Sequence, residues 1–233
     1  MDRKIKVIAH RGASAEIPGN TISAFKKAIE IGADMIELDV HASKDGHLVV
    51  IHDFTVDETT NGTGAVAELT LKELKELVVE DVEKIPTLEE VFKLAKGKID
   101  INVEIKAEGI EEKVVELIRD YKLEKNVLIS SFNLPAIKKI KEIAPELKTA
   151  ALISTPVEDI LNVLKEYNAD GVNPFFVMVN EDFVEEIHNA GYILYPWTVD
   201  DEDMMQYLIE LGVDGIITDV PEILIDILKN NKK

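Results

Sequence analysis

Short apolar runs alternate with segments of helical periodicity along nearly the whole chain, and this alternation restricts the fold more than any other feature of the sequence. The runs with the character of strands are residues 5–10, 34–40, 47–52, 99–105, 127–132, 149–153, 171–173, 192–199 and 215–218. The segments with helical periodicity are residues 20–31, 71–77, 88–95, 111–121, 135–143, 157–167, 181–190, 201–211 and 221–228. Strands and helices that alternate in this way form right-handed βαβ units and a parallel sheet.

A closed parallel barrel has eight strands, so one of the nine predicted strands must lie outside the ring. The run 47–52 is separated from the preceding strand by residues 41–46 alone, which are too few for a parallel crossover. Asp45-Gly46 is a favourable hairpin turn. We therefore expect residues 47–52 to return antiparallel to the second strand, which places residue 52 roughly opposite residue 38.

The sequence thus predicts an α/β fold, a TIM-type (β/α)8 barrel with a small insertion after the second strand. Residues 1–233 are expected to form a single catalytic domain. Residues 41–85 are expected to form the insertion, a hairpin excursion at the C-terminal mouth of the barrel.

Charged residues interrupt two of the apolar strands near their C-terminal ends. Glu37 and Asp39 are two residues apart and share one face of a strand, and Glu104 and Lys106 repeat the pattern. If the apolar neighbours face the outer helices, these side chains point into the barrel at its mouth, where active sites of this fold lie. Converging carboxylates favour a bound cation, and oxygen ligands favour Mg²⁺ or Ca²⁺ over zinc. The alternative is that they are surface carboxylates or are paired with lysines.

Two histidines also stand at strand ends. His10 ends the first strand and is followed by Arg11, and His52 ends the hairpin strand. Histidine titrates near neutral pH, so the pair is suited to acid–base catalysis on a phosphoryl group whose oxygens Arg11 and Lys106 would bind. The alternative is that both histidines only cap strand ends. No role is assigned to the other three histidines, His41, His47 and His188.

Trp197 is the only tryptophan, and it shares one face of a late strand with Tyr195. It either fills the barrel core or forms an apolar wall for the carbon skeleton of a substrate.

Composition excludes several classes of function. The chain has 26 Lys+Arg and 45 Asp+Glu, a net charge of −19, which argues against nucleic-acid binding. It has no cysteine, so it has no thiolate nucleophile or zinc–sulfur site. Its apolar stretches are too short for stable membrane insertion, and we expect its first residues not to act as a signal peptide. We expect a cytoplasmic protein that is a monomer or a small homo-oligomer, since the charge disfavours close self-association.

The order of motifs resembles that of the glycerophosphodiester phosphodiesterase family. The matching motifs are His-Arg-Gly-x5-Pro-x-Asn-Thr at 10–21, Glu-Leu-Asp-Val at 37–40, Lys-Asp-Gly at 44–46, His-Asp at 52–53, Val-Glu-Ile-Lys at 103–106, Ser-Ser-Phe at 130–132, Trp-Thr-Val-Asp at 197–200 and Gly-Val-Asp-Gly-Ile-Ile-Thr-Asp at 212–219. The resemblance implies hydrolysis of a small-molecule glycerophosphodiester to glycerol 3-phosphate and an alcohol with a divalent cation, Ca²⁺ or Mg²⁺. It also implies that the substrate's own 2-hydroxyl attacks first and that water then opens a cyclic phosphate.

The resemblance assigns each candidate residue a role. His10 and His52 correspond to the acid–base pair, and Arg11 and Lys106 to the phosphate-binding positions. Glu37, Asp39 and Glu104 correspond to the metal ligands.

One position departs from the family pattern. The family usually has Pro-Glu-Asn-Thr, and this chain has Gly19 in place of the glutamate. Glu16 is a possible substitute, three residues upstream. Three other functions stay open. One is a phospholipase D-like phosphodiesterase that acts on lysolipids and needs an apolar entry surface, another is an inactive barrel that binds phosphodiesters or metal, and the third is a metal-dependent sugar isomerase or aldolase.

Overall fold

The computed structural model describes residues 5–80 and 82–231, in which strands and helices alternate as the sequence predicts. The strands are β1 (Lys6–Ala9), β2 (Met35–Ala42), β3 (Leu48–Val50), β4 (Asp100–Ile105), β5 (Val127–Ser131), β6 (Lys148–Ile153), β7 (Gly171–Pro174), β8 (Ile193–Leu194) and β9 (Gly215–Thr218). The α-helices are α1 (Ile22–Ile31), α2 (Leu71–Glu76), α3 (Leu88–Ala95), α4 (Glu111–Tyr121), α5 (Leu134–Ile143), α6 (Ile160–Glu166), α7 (Glu181–Asn189), α8 (Glu202–Leu211) and α9 (Pro221–Asn230). Short 3₁₀ helices span Val66–Glu68 and Phe176–Met178.

Eight of the strands form one parallel sheet in the order β8-β7-β6-β5-β4-β2-β1-β9. The sheet closes on itself because backbone hydrogen bonds join its two ends. The N–H of Asp214 donates to the carbonyl of Leu194 at 3.2 Å, and the N–H of Ile217 donates to that of Pro196 at 3.0 Å. The predicted (β/α)8 barrel is confirmed.

The strand β8 is shorter than the predicted run 192–199. Only Ile193 and Leu194 pair as a regular strand, and Pro196, two residues beyond Leu194, has no N–H to donate. The chain nevertheless stays in the ring, because Trp197 pairs in parallel with Phe175 and its N–H donates to the carbonyl of Pro174 at 3.0 Å.

The strand β3 forms the predicted antiparallel hairpin with β2. Val40 pairs with Val50, and Ala42 pairs with Leu48. This is the expected register, since its continuation by two residues places His52 opposite Leu38. The hairpin therefore carries the chain back to the barrel mouth.

The two faces of β3 pack against different apolar clusters. Leu48 and Val50 belong to the large cluster between the barrel and its helices. Val49 and Ile51 belong to a smaller cluster within the segment 49–85, which comprises Val49, Ile51, Val56, Val66, Leu74, Val79 and Ile85. The alternation of side chains along a strand thus joins the insertion to the barrel while giving it an apolar core of its own.

Side-chain caps fix the start of several helices. Thr21 accepts a hydrogen bond from the N–H of Ala24 and begins α1. Thr70 with Glu73 and Thr87 with Glu90 form capping boxes at the starts of α2 and α3. Among the helices described, none is both long enough and apolar enough to cross a membrane.

Asp170 lies just before β7, at the end of the barrel opposite the mouth. Its Oδ2 accepts hydrogen bonds from Lys141 Nζ and from the backbone N–H of Thr149, both at 2.9 Å, and its Oδ1 accepts one from Lys148 Nζ at 3.1 Å. Burial alone would raise the pKa of this carboxyl, but the donors outweigh burial and lower the pKa below its ordinary value.

We expect Asp170→Asn to lower the free energy of unfolding at pH 7 by about 1.5–3 kcal/mol, the contribution of hydrogen bonds to a charged group. Because the folded pKa is depressed, this stabilisation is present above the unfolded pKa of about 3.9 and is lost as the pH falls through the folded pKa. Urea unfolding at a series of pH values measures the difference. Asp226→Asn is the control, since Asp226 and Lys229 form an exposed pair that contributes little. Equal losses in both variants would contradict the prediction.

Candidate active site

A pocket of about 220 Å³ opens at the C-terminal mouth of the barrel. Its walls come from the ends of the barrel strands and from the segment after β3. The lining residues are His10, Arg11, Glu37, His52, Asn102, Glu104, Lys106, Ser130, Phe132, Leu152, Trp197 and Ile217. Seven of the eight residues predicted to form the site line this pocket, and the eighth, Asp39, contacts two of them.

Three buried carboxylates meet beside the pocket. One oxygen of each of Glu37, Asp39 and Glu104 lies within 4.8 Å of the others. The parallel register of β2 and β4 places Asp39 directly beside Glu104, and Glu37 shares the face of Asp39 two residues earlier. The possibility that these are surface carboxylates is wrong, because all three are buried.

The pKa shifts within this cluster of three carboxylates favour a bound cation. Burial, followed by the charges of Asp39 and Glu104, raises the pKa of Glu37 well above its ordinary value. Burial and the neighbouring Asp39 raise the pKa of Glu104 to about 7. A divalent cation among the three oxygens would relieve this repulsion, and the donors are the hard oxygen ligands that Ca²⁺ and Mg²⁺ prefer. The carboxylate cluster is therefore suited to a divalent cation.

Two basic side chains offset part of this negative charge. Arg11 Nε lies 3.2 Å from Asp39 Oδ2, and Lys106 Nζ lies 3.5 Å from Asp39 Oδ1 and 2.9 Å from Glu104 Oε1. Burial alone would raise the pKa of Asp39, but these two cations outweigh burial and lower it. The lysine pairing considered from the sequence therefore exists for Asp39 and Glu104, whereas no lysine of residues 5–80 and 82–231 forms an ion pair with Glu37.

The turn after β1 holds Arg11 in an unusual backbone conformation. Its φ is 56°, in the left-handed region, and its N–H donates to Glu37 Oε2 at 3.0 Å. The next residue must be a glycine, because a Cβ at Gly12 would lie 2.6 Å from the carbonyl carbon of Ala24. This turn fixes both the backbone and the side chain of Arg11 against the carboxylates.

Each pocket histidine is oriented by a carboxylate. His10 Nδ1 donates to Asp219 Oδ1 at 2.6 Å, and His10 Nε2 lies 3.9 Å from Glu37 Oε2. His52 Nδ1 donates to Asp53 Oδ1 at 2.7 Å. With Nδ1 bound in both rings, Nε2 is the nitrogen that each histidine offers to a ligand.

His41 holds the backbone at His52. Its Nε2 donates to the carbonyl of His52 at 3.1 Å, and its ring contacts the edge of Phe54 at a centroid distance of 4.9 Å. Burial lowers the pKa of His41, and burial also lowers that of His52 although the charge of Asp39 opposes the shift. Both rings are therefore biased toward the neutral form.

The remaining histidines lie outside the pocket. His47 is exposed at the hairpin turn. His188 Nε2 bonds to Asp214 Oδ2 at 3.0 Å near the end of α7, so it is more buried than a helix-surface position implies.

Trp197 forms the apolar side of the pocket. Its Nε1 donates to the carbonyl of Asn173 at 2.8 Å, which fixes the indole, and its ring lies 5.5 Å from Phe132 and 5.7 Å from Phe175. Tyr195, on the same segment, is buried in the apolar cluster inside the barrel. Of the two roles considered for Trp197, the structure favours the pocket wall, although its ring also packs on that cluster.

The suggestion that Glu16 replaces the missing glutamate at position 19 is wrong. Glu16 is exposed and its Oε2 pairs with Lys27 Nζ at 2.9 Å, away from the pocket. Gly19 lies close to Arg11, since a Cβ at Gly19 would be 3.0 Å from Arg11 Cβ. Two acidic residues share a cavity with Gly19 and His52. One is Asp219, which bonds to His10, and the other is Glu80 from the insertion, whose backbone is left-handed with a φ of 44°.

Several residues that orient the site have no role in the sequence prediction. Asp219 orients His10 across 209 residues of chain, and Asn20 Nδ2 donates to Asp39 Oδ2 at 2.8 Å. Both belong to motifs visible in the sequence, since Asn20 follows Pro18 and Gly19 and Asp219 ends the motif that closes β9. Their positions within motifs therefore indicate that Asn20 and Asp219 belong to the site, but the motifs do not show which residue each of them contacts.

Comparisons with known proteins, by sequence and by structure, give one consistent result. The sequence model of the Glycerophosphoryl diester phosphodiesterase family matches residues 10–223. The chain is 46% identical to a glycerophosphodiester phosphodiesterase of Caldanaerobacter subterraneus subsp. tengcongensis, over 97% of this chain and 98% of that protein.

Solved structures are similar over the same length. A phosphodiesterase of Oleispira antarctica, solved in complex with the product sn-glycerol-3-phosphate, has a TM-score of 0.88 and 29% identity over 96% of each chain. A glycerophosphodiester phosphodiesterase of Thermotoga maritima has a TM-score of 0.83 and 30% identity over 96% of this chain and 98% of that chain.

Proposed function

Because the chain belongs to the glycerophosphoryl diester phosphodiesterase family, we propose that it hydrolyses glycerophosphodiesters to glycerol 3-phosphate and an alcohol with a divalent cation and the pair His10 and His52. One observation carries the proposal. Two histidines, each oriented through Nδ1 by a carboxylate, line the same pocket as a buried carboxylate cluster.

Glu37, Asp39 and Glu104 would hold the cation, Ca²⁺ or Mg²⁺. When bound, such a cation polarises a phosphoryl oxygen and lowers the pKa of a nearby hydroxyl. The surrounding residues keep the three carboxylates in place, because Glu37 accepts from the N–H of Arg11 and Asp39 accepts from Asn20. Ordered outer partners of this kind are what metal ligands require.

Arg11 and Lys106 would bind the phosphate. Both lie on the same pocket as the triad, and their cationic groups already face the Asp39 carboxylate. Both keep N–H donors for a phosphate, because a guanidinium carries five donors and an ammonium three, whereas Arg11 pairs with one carboxylate and Lys106 with two. They are therefore placed to stabilise negative charge that develops on the phosphoryl oxygens in the transition state.

The histidines would move the protons. One Nε2 accepts the proton of the attacking hydroxyl, and the other donates a proton to the oxygen of the departing alcohol as the P–O bond to that alcohol breaks. The attacking hydroxyl belongs either to the substrate's glycerol, which gives a cyclic phosphate that water then opens, or to water directly. Asp219 and Asp53 would hold the rings in position and stabilise their charged forms, and His41 fixes the backbone that carries His52.

Trp197 would bound the substrate on its apolar side. An inactive barrel would lack one of the histidines or one of the metal ligands. Here both histidines and all three carboxylates meet at one site. The cytoplasmic location and the monomeric or small homo-oligomeric state stay predictions from the sequence.

Release of glycerol 3-phosphate from glycerophosphocholine tests the proposal. Chelator-stripped protein should release none, and added Ca²⁺, Mg²⁺ or Mn²⁺ should restore turnover. Release that is unchanged by the chelator would contradict the metal role. Absence of release with every metal, from protein whose circular dichroism shows it folded, would contradict the function itself.

A further inference from the structure

A second cavity lies between the loop that joins β1 to α1 and the insertion, with a volume of about 260 Å³. Drug-sized ligands occupy pockets of about 300–1,000 Å³, so this volume suits a smaller molecule. The residues that line it and do not line the catalytic pocket include Ser14, Gly19, Asn20, Thr59, Glu80 and Asp219.

The second cavity meets the catalytic pocket at the two histidines. His10, Arg11 and His52 line both cavities, whereas Glu37 and Glu104 line only the catalytic pocket. A phosphoryl group bound by Arg11 therefore borders both cavities, and the carboxylates proposed to hold the cation stand in one of them alone.

A phosphodiester has two ester arms, and the reaction requires them to point in different directions. In phosphoryl transfer the attacking and the leaving oxygen lie roughly in line across the phosphorus atom. The proposed attack comes from the side of the cation, which lowers the pKa of a nearby hydroxyl. The leaving alcohol must then point away from Glu37 and Glu104. The second cavity is the one that borders the histidines without those carboxylates.

The absence of a side chain at Gly19 keeps part of the second cavity open. The backbone does not require a glycine there, because the φ of Gly19 lies outside the left-handed region, whereas the φ of Asn20 is 58°. A Cβ at Gly19 would lie 3.0 Å from Arg11 Cβ and 3.3 Å from Ser14 Cβ. A longer side chain at this position would therefore take up space directly beside Arg11, where the two cavities meet.

The insertion presents an unpaired polar group to the same cavity. The Oγ1 of Thr59 is buried and has no hydrogen-bond partner among the residues that the structure describes. Buried polar groups are normally paired, so this hydroxyl has capacity to bond to a ligand. The apolar side chains of Val79 and Ile85 also line the cavity. This mixed lining suits a compact alcohol that carries a polar substituent.

We propose that the second cavity binds the alcohol half of the diester while the glycerol half lies beside the three carboxylates, and that Gly19 sets the size of the alcohol that is cleaved efficiently. This proposal rests on the proposed function and names the subsite for its leaving group. His10 and His52 then stand at the boundary between the two halves. There the P–O bond to the alcohol breaks, and the departing oxygen takes up a proton from a histidine.

Two diesters that differ only in the alcohol test this proposal. Glycerophosphocholine carries a leaving group that fills the second cavity, whereas the methyl group of glycerophosphomethanol is too small to do so. Phosphorus NMR follows the consumption of each diester by the metal-loaded protein. The measured quantity is the ratio of kcat/KM for the choline diester to kcat/KM for the methyl diester. The intrinsic reactivity of the two leaving alcohols is the same for every variant, so it cancels when the ratios are compared.

Variants that narrow the cavity should lower this ratio. Gly19→Gln should lower it at least about fivefold, because overfilling a packed site is costly, and Gly19→Ala should have a smaller effect. Thr59→Met narrows the cavity from the insertion and should also lower the ratio. If a new side chain merely displaced Arg11, both diesters would be slowed alike and the ratio would not change. Thr63→Met is the matched control, since Thr63 is an exposed threonine of the same insertion outside the cavity.

The failure of this proposal is distinguishable from failure of the proposed function. Unchanged ratios in Gly19→Ala, Gly19→Gln and Thr59→Met, with both diesters hydrolysed, would overturn the alcohol subsite alone. The same result is expected if the glycerol half occupies the second cavity, because both diesters would then be affected equally. Failure of the unaltered, folded protein to hydrolyse either diester with any metal would contradict the proposed function and this proposal with it.

Discussion

Replacing His52 with alanine should lower kcat for glycerophosphocholine by about 10²–10⁴-fold, the contribution of one acid–base group. The same change at His10 should have an effect of similar size. Each ring is held through Nδ1 by a carboxylate and offers Nε2 to the pocket, so neither can take over the position of the other. Steady-state kinetics at saturating metal measures both variants.

The double variant adds a second test. If the two rings act as a unit on one proton pathway, His10→Ala/His52→Ala should lose little more than the worse single variant. His47→Ala is the matched control, because His47 is an exposed histidine on the same hairpin and should retain full turnover. Near-normal turnover in either single variant would refute the acid–base assignment.

Glu37→Gln should weaken metal binding at least about 100-fold, because even the loss of an outer-shell partner costs 10–100-fold in affinity or activity. The amide keeps the size of the side chain and an oxygen that can accept from the N–H of Arg11, so the loss is specifically one of charge. Metal titration of activity after chelation, with calorimetry of Ca²⁺ or Mg²⁺ binding, measures it. A variant rescued at the metal concentration that suffices for the unaltered protein would contradict the ligand role.

The same substitution should stabilise the metal-free protein. The folded pKa of Glu37 is raised, so its ionisation destabilises the native state at pH values above the unfolded pKa of about 4.3. The metal-free variant should therefore melt higher than the metal-free unaltered protein at pH 7, by about 2–4 °C per kcal/mol gained, and the gap should close toward pH 4. Asp170→Asn is the control, since the same chemical change should lower the melting temperature there. A lower melting temperature for metal-free Glu37→Gln would contradict the electrostatic account.

The residues that the sequence predicts well are those whose positions follow from strand periodicity. Glu37 and Asp39 share a face because side chains alternate along a strand, and Glu104 joins them because β2 and β4 are adjacent in the parallel sheet. His52 was predictable for a different reason. The turn at Asp45-Gly46 fixes the hairpin register, and with it the distance of His52 from the second strand.

The residues that could not be predicted act through side-chain contacts over long separations. Asp219 reaches His10 because the last strand, β9, pairs with the first strand, β1, as the barrel closes. Periodicity does not report on such closure. The sequence assigns no role to His41, yet its ring reaches the carbonyl of His52 across the hairpin. The prediction for Glu16 rested on its position three residues upstream of Gly19. It was wrong because Glu16 pairs with Lys27 on α1.

The two-faced packing of β3 has a consequence for how this enzyme can be altered. The carboxylates proposed to hold the cation stand on the barrel strands β2 and β4, whereas His52 follows β3 and precedes a segment with its own apolar core. The sequence from residue 55 to residue 85 can therefore be exchanged as a module, provided that Asp53 still holds His52, both sides of β3 stay apolar and the hairpin keeps its length. Substrate selection and bond cleavage are thereby separable in redesign, and a graft at the insertion would change the former while inheriting the latter.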